Sequence, residues 1–422
     1  MAEALEKSRG VYVVKALQKK SRKKVSVADI PRVGPGTPTG EWFRRYWLVV
    51  GVARDLYDIP QAVKVLGEDL VLFRDPNGRL GLLGEHCPHR GASLEYGDIE
   101  DGGLRCPYHG WLFDIHGQCL EMPAEPKDSK FCQKIKQLSY PVRELGGLIF
   151  AYLGPDQKNP PPLPNYAPLL ERGGQRQIES VRHADYNWFN FFENSADPAH
   201  VCILHRHAGY GQQSWGDHFF SYTDMPDYEF VEMDYGMKVV MTKPGPTPGT
   251  EFVDEMSLAL PSIVQVGDTE FVHAKMDAAA LINEGSRCEH WMFVTPNDDD
   301  HFMLFSADNY LGPVANFFER LKELRAKETP NEEVKPYDKR KHMPYKGNVR
   351  KEDFMTQGTQ GLLGARDEQL GVSDRGVIKF RKIVVDAIEA ARGGKRPKGL
   401  VAPEKAGEVY KLDTQVGVRE KI

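Results

Sequence analysis

From Trp42 to Gly154 the hydrophobic positions come in short runs broken by turn residues. Tyr46-Trp-Leu-Val-Val, Leu70-Val-Leu-Phe and Gly146-Gly-Leu-Ile-Phe-Ala-Tyr-Leu alternate with turns such as Asp75-Pro-Asn-Gly and His116-Gly. Runs of this length and punctuation predict strands and hairpins, so the first folded unit reads as all-β. Asn159-Pro-Pro-Pro-Leu-Pro then ends the pattern, because proline cannot continue a ladder and stiffens the chain. Beyond it the classes mix. Asp185 to Leu204 has roughly helical apolar spacing, whereas Met237-Lys-Val-Val-Met-Thr and Trp291-Met-Phe-Val-Thr are strand-like. Near the end, Ser373 can cap a helix whose apolar face is Val377, Phe380, Val384 and Ile388, with Gly393-Gly394 as its stop. The pattern predicts an α+β chain: an N-terminal arm over 1–40, an all-β domain over 41–158 and a larger mixed domain over 159–422. Nine basic and five acidic side chains between Leu321 and Arg350 suggest a surface loop or lid.

Length and composition narrow the function. The 422 residues fit two domains, and 41% hydrophobic with 27% charged residues is ordinary for a globular chain. A net charge of −5 argues against a surface built to coat nucleic acid. Lys15, Lys19, Lys20, Arg22, Lys23 and Lys24 cluster without interleaved aromatics, so they read as a solvated or subunit-contact segment. Neither a secretory leader nor an apolar run of membrane-spanning length is found, and a cytoplasmic protein with no membrane partner is expected. Six cysteines are too sparse for a disulfide framework and leave a metal site open.

Two of them carry the strongest signal. Cys87-Pro-His89-Arg-Gly and Cys106-Pro-Tyr-His109-Gly-Trp each offer one thiolate and one imidazole. Two cysteines and two histidines can also hold zinc, but zinc fingers usually segregate the two residue types. Mixed halves suit a cluster in which Cys87 and Cys106 bind one iron and His89 and His109 the other, a Rieske [2Fe–2S] centre. Neutral imidazoles lower the cluster's negative charge and raise its potential. Cys119, Cys132, Cys202 and Cys288 have no such neighbours in sequence and read as buried structural thiols.

A second constellation lies in Asn187-Trp-Phe-Asn-Phe-Phe-Glu-Asn194-Ser-Ala-Asp197-Pro-Ala-His200-Val-Cys-Ile-Leu-His205. Polar groups set in an apolar segment are costly unless paired or bound to metal. A turn near His205 would let both histidines face one ion, and two histidines with a carboxylate form the facial triad of non-haem Fe(II) oxygenases. Asp353, Glu352 and Asp367 are the carboxylates in question.

Together the two constellations resemble the oxygenase (alpha) subunit of the Rieske non-haem iron oxygenases, phthalate dioxygenase-type branch, which also includes vanillate O-demethylase-like and dicamba monooxygenase-like enzymes. The likeness runs from about Thr39 to Ala390, through Leu104-Arg-Cys-Pro-Tyr-His-Gly-Trp, Phe131-Cys-Gln-Lys-Ile-Lys and Glu368-Gln-Leu-Gly-Val-Ser-Asp. It implies a Rieske domain followed by a catalytic domain with a helix-flanked antiparallel β-sheet. It implies cluster ligands Cys87, His89, Cys106 and His109, and mononuclear Fe(II) on His200, His205 and, favoured over its rivals, Asp353. Asp197 would be the aspartate bridging a cluster histidine of one subunit to an iron-ligating histidine of the next. Asn194 would be a polar group near the iron, and a homotrimer is implied.

No Gly-rich dinucleotide fingerprint or ferredoxin-type cysteine set is present, so a separate NAD(P)H-dependent reductase carrying flavin and iron–sulfur is expected. The expected reaction uses O₂ on an aromatic substrate, an aromatic acid above all, by ring dihydroxylation or methoxy O-demethylation. Arg206, Lys243, Lys275 and Arg287 are available to anchor a carboxylate. The competing reading is a non-catalytic Rieske electron carrier, against which the length beyond Gly154 speaks.

Overall fold

A computed structural model describes residues 2–8, 11–17, 23–170, 173–205, 225–245, 247–266, 286–319, 349–412 and 414–421. They gather into two compact units. One takes Met1–Ser26, Leu56–Val63 and Asp69–Tyr140; the other takes Val27–Asp55, Lys64–Glu68 and Pro141–Ile422.

The first unit is built of strands. Ala2–Ser8 pairs with Val11–Leu17 in an antiparallel hairpin within the segment expected as an arm. Leu70 to Arg74 pairs with Gly84 to Leu80 across the Asp75-Pro-Asn-Gly turn, where Gly78 takes φ 80° and the Asp75 carboxylate accepts the Arg79 backbone N–H at 2.8 Å. Four short strands, Cys119–Glu121, Leu112–Phe113, Gly103–Arg105 and Asp98–Glu100, lie side by side in that order. Their core joins Val71, Phe73, Leu94 and Phe113 to Cys87 and Cys106. Cys119 is buried in the same core, as expected of a structural thiol, whereas Cys132 is only half-buried and packs against it.

In the second unit the strands are numbered β1 (Trp47–Val52), β2 (Val142–Leu145), β3 (Leu148–Tyr152), β4 (Gln175–Ala184), β5 (Asp227–Glu232), β6 (Gly236–Pro244), β7 (Thr250–Ala259), β8 (Ile263–Val266), β9 (Arg287–Pro296), β10 (Phe302–Leu311) and β11 (Val416–Glu420). The helices are α1 (Pro38–Phe43), α2 (Trp188–Asn194), α3 (Ala199–Leu204), α4 (Val349–Thr359) and α5 (Arg375–Arg392). A small sheet runs β2-β3-β1, and an eight-stranded antiparallel sheet runs β4-β10-β9-β8-β7-β6-β5, with β11 on β7. Alternation sorts its side chains. Phe305, Ala307, Trp291, Phe293 and Ile178 meet Phe150 and Tyr166 in one core, while Phe302 points the other way and packs on Tyr186 and Phe191 beside α2.

The helices cover that second face. Asn187 caps α2 by accepting the Phe189 N–H at 3.0 Å. Phe189 and Phe192 set their rings 6.1 and 5.0 Å from Phe380 on α5. The α5 stripe of Val377, Phe380, Val384 and Ile388 is buried as the spacing predicts. Its start differs from expectation: Ser373 lies in a preceding 3₁₀ turn, and the Asp374 carboxylate closes that turn on the Gly371 N–H at 2.6 Å. The result is an α+β chain with a β-rich first unit and a helix-flanked antiparallel sheet. Among the described residues no helix is long and apolar enough to cross a membrane.

Candidate metal centres

The first centre is made by two turns of the same construction. The Gly91 N–H donates to the Cys87 carbonyl at 2.8 Å, and the Gly110 N–H to the Cys106 carbonyl at 3.1 Å. The Cys87 N–H returns to Ala92 and the Cys106 N–H to Trp111, each at 2.9 Å. Gly91 and Gly110 sit at φ 79° and 74°, where a Cβ would be strained. The Arg105 guanidinium holds the second turn, reaching the Gly110 carbonyl at 2.6 Å while pairing with Glu100 and Glu121.

Both thiols point inward and both imidazoles lie nearer the surface. Cys87 and Cys106 are buried, whereas His89 is exposed and His109 half-buried. The histidine rings are 4.4 Å apart, and His89 stacks on Trp111 at 4.5 Å with 8° between planes. Burial, with the neighbouring Cys106 thiol adding, pushes the Cys87 thiol up to about 12. A Cys87 thiolate is therefore unfavourable here unless bound positive iron compensates it, so the donor set fits a [2Fe–2S] cluster. These four residues do not form a single-ion group. Among the described residues, only His200, His205 and Asp353 bring three potential ligand atoms within 4.8 Å of one another.

That second centre draws on α3 and α4. α3 ends on His205, whose φ of −86° and ψ of 7° leave the helix, supplying the turn that five-residue spacing requires. His200 Nε2 stands 3.6 Å from Asp353 Oδ1, and His205 Nε2 stands 3.3 Å from the same oxygen. Each ring is held from behind. His200 Nδ1 donates to the Asp197 backbone carbonyl, and His205 Nδ1 donates to Glu352 Oε2 at 2.9 Å. Both contacts place the proton on Nδ1 and turn Nε2 toward the centre. The Asn194 amide, closing α2, donates to His200 Nε2 at 3.1 Å and to Asp353 Oδ1 at 3.3 Å.

Electrostatics sharpen the arrangement. Burial holds the His200 imidazole below its ordinary range. Burial also opposes charge on His205, but the carboxylates of Asp353 and Glu352 outweigh it and raise that imidazole to about 9. Asp353 is held low by His205 and His200 against the opposing effect of its burial. A divalent cation would replace the His205 Nε2 proton as partner of the Asp353 carboxylate, while Nδ1–H stays on Glu352, so the donors fit a mononuclear metal.

The remaining predicted residues are placed as follows. The Asp197 carboxylate accepts the Ala199 N–H at 3.2 Å, and burial raises its pKa. Glu352 approaches His205 from the far side of the ring, and Asp367 is exposed. Lys243 is buried on β6 and Arg287 is exposed on β9, while Arg206, Lys275 and most of the Leu321–Arg350 loop lie outside the described residues. Sequence reasoning missed a buried lattice behind Asn194. Glu193 takes Arg366 at 2.6 Å and Arg381 at 2.8 Å, and Arg381 also grips Glu368.

Comparisons with known proteins place the chain in a family. Residues 46–141 match the family described as the Rieske [2Fe-2S] domain. The chain is 32% identical to the tert-butanol monooxygenase / tert-amyl alcohol desaturase oxygenase subunit of Aquincola tertiaricarbonis, over 93% of this chain and 83% of that one. It is 31% identical to the 5,5'-dehydrodivanillate O-demethylase oxygenase subunit of a Sphingobium species, over 91% and 85% respectively. The crystal structure of dicamba monooxygenase bound to dicamba shares the fold with a TM-score of 0.61 at 20% identity, over 84% of this chain and 99% of that one. The relatives are oxygenase subunits of multicomponent systems, which implies a separate reductase and sets aside the bare electron carrier. With relatives above 30% identity matched over more than four-fifths of their length, the chain belongs to the Rieske non-haem iron oxygenases as a catalytic oxygenase subunit.

Proposed function

We propose that His200, His205 and Asp353 hold one mononuclear Fe(II), and that the chain hydroxylates an aromatic small molecule, an aromatic acid first, at that site. The observation carrying this reading is the convergence of the three ligand atoms within 4.8 Å. When bound, the cluster accepts electrons from the reductase and the iron activates O₂. The chain's own groups supply position and charge. Asp197 and Glu352 fix the two imidazoles through Nδ1, and Asn194 holds an amide against His200 and Asp353. Asp197 is the proposed bridge between subunits of a cytoplasmic homotrimer, its backbone carbonyl holding His200 and its carboxylate facing a cluster histidine of the neighbouring subunit. The names of the dehydrodivanillate and dicamba O-demethylase relatives support methoxy demethylation of an aromatic acid, and that of the phthalate 4,5-dioxygenase relative supports ring dihydroxylation.

A branched aliphatic alcohol is the second reading, since the tert-butanol relative is as similar over as much of the chain. Two measurements test these points. Three irons and two acid-labile sulfides per chain are expected, and two irons would defeat the mononuclear site. O₂ uptake is then followed with the cognate class of reductase over aromatic acids, methoxy-aromatic acids and tertiary alcohols, with formaldehyde assayed alongside. Uptake with matched formaldehyde marks demethylation, uptake without it marks ring hydroxylation, and uptake only with alcohols refutes the aromatic assignment.

A further inference from the structure

We propose that Glu352 is a positioning residue of the mononuclear centre, acting through His205 rather than as a ligand. The inference rests on the reading that His200, His205 and Asp353 hold the metal. Glu352 and Asp353 are consecutive on α4, so their side chains leave the helix about 100° apart. That divergence lets the two carboxylates take one imidazole at opposite nitrogens. Asp353 Oδ1 is 3.3 Å from His205 Nε2, and Glu352 Oε2 is 2.9 Å from His205 Nδ1. Glu352 therefore stands behind the ring, outside the group of three ligand atoms that converge on one point.

Burial makes the contact consequential. The side chains of His205 and Glu352 are 4% and 3% exposed, so little water competes for either partner. A carboxylate oxygen can only accept, which fixes the proton on Nδ1 and frees Nε2 for a metal. A charge argument points the same way. A divalent ion with two neutral imidazoles and the Asp353 carboxylate retains one positive charge, and the buried Glu352 carboxylate cancels it. The histidines are thereby unequal. His200 is backed by the neutral carbonyl of Asp197 and His205 by an anion, so His205 becomes the stronger donor.

The test uses the full-length protein with its cluster intact and the mononuclear site emptied by a chelator, titrated with Co(II). In Glu352→Gln, which keeps the shape and an accepting oxygen but removes the charge, Co(II) affinity falls about 10- to 100-fold. The Co(II) visible bands shift because His205 donates less, while the cluster absorbance is unchanged. Affinity within twofold of the parent and unshifted bands would overturn the proposal. Loss of all Co(II) binding in Glu352→Gln with retention in Asp353→Asn would also overturn it, making Glu352 the ligand. His200→Ala separates this question from the underlying one. If that variant still binds Co(II) like the parent, the three-ligand reading itself fails. Should Glu352→Gln not fold, Glu352→Asp keeps the charge with a shorter reach, and the same loss of affinity with shifted bands is required.

Discussion

Glu193 and Arg381, 188 positions apart, are joined by a 2.8 Å hydrogen bond between Oε2 and Nε, with both side chains under 10% exposed. Arg366 takes the other Glu193 oxygen at 2.6 Å and also reaches the Asn190 side chain. The lattice fastens α2, whose last residue is Asn194, to α5. Replacing one member leaves its partners charged and under-satisfied in a buried place. Arg381→Met is therefore expected to cost about 3 kcal/mol of folding free energy, read by denaturant unfolding. A loss below about 0.5 kcal/mol would show that the lattice is no more than a surface-like ion pair.

Asn187 serves three backbone groups at once. Besides capping α2, its amide donates to the Pro31 carbonyl at 3.0 Å and to the Asp299 carbonyl at 2.6 Å. Asn187→Ala removes the cap and strands two carbonyls, for an expected cost of about 2–3 kcal/mol. Asn187→Ser keeps the cap alone and should recover about 1 kcal/mol of it. Equal midpoints for the two variants would contradict this division.

Asp254 gives the fold a pH dependence. Burial first and Glu255 second raise its carboxyl to about 7. A folded-state pKa above the unfolded value means that the stabilising neutral form is complete below about pH 4. That stability drains as pH rises through about 7. Asp254→Asn should remove the loss, gaining of order 2–4 kcal/mol over the parent at pH 8.5 and almost nothing at pH 4. Parallel stability–pH curves for parent and variant would exclude Asp254 as the source.

The two proposed centres share no ligand. Cys87→Ser is expected to abolish the cluster absorbance and the labile sulfide while one iron per chain remains. Asp353→Ala should do the reverse, leaving two irons and an unaltered cluster spectrum. Loss of both centres in either variant, with the fold intact by circular dichroism, would show that they are not independent.

Asp197→Asn keeps an oxygen for the Ala199 N–H, so α3 and both metals are expected to persist. What changes is the charge of the carboxylate proposed to face the neighbouring subunit's cluster histidine. Electron transfer to the mononuclear site should slow drastically. Normal single-turnover rates from a pre-reduced cluster would remove Asp197 from that role.

The two centres differed in how much of them could be read from residue order. The cluster ligands fall between positions 87 and 109 in two turns built alike, so local spacing contains nearly the whole geometry. His200 and His205 were visible for the same reason, and the predicted turn is the end of α3. The carboxylate was not, because choosing between Glu352 and Asp353 requires the rotational phase of α4 against a helix some 150 positions earlier. Cys119, in a short strand, and Cys132, at the start of a 3₁₀ turn, reach the cluster core only through the folding of the first unit, which no spacing reveals. The role of Arg381 has no signal in residue order, since its partners are supplied by folding alone.

The placement of ligands along the chain also orders biogenesis. A ribosome has delivered every proposed cluster ligand once residue 109 is joined. The proposed iron ligands are complete only after Asp353, more than two hundred residues later, and the Glu193 clasp waits for Arg381. At ordinary translation speeds of roughly 5–20 residues per second, that leaves an interval of tens of seconds at the slower end. The proposed cluster ligands are thus all synthesised well before the last proposed ligand of the mononuclear site.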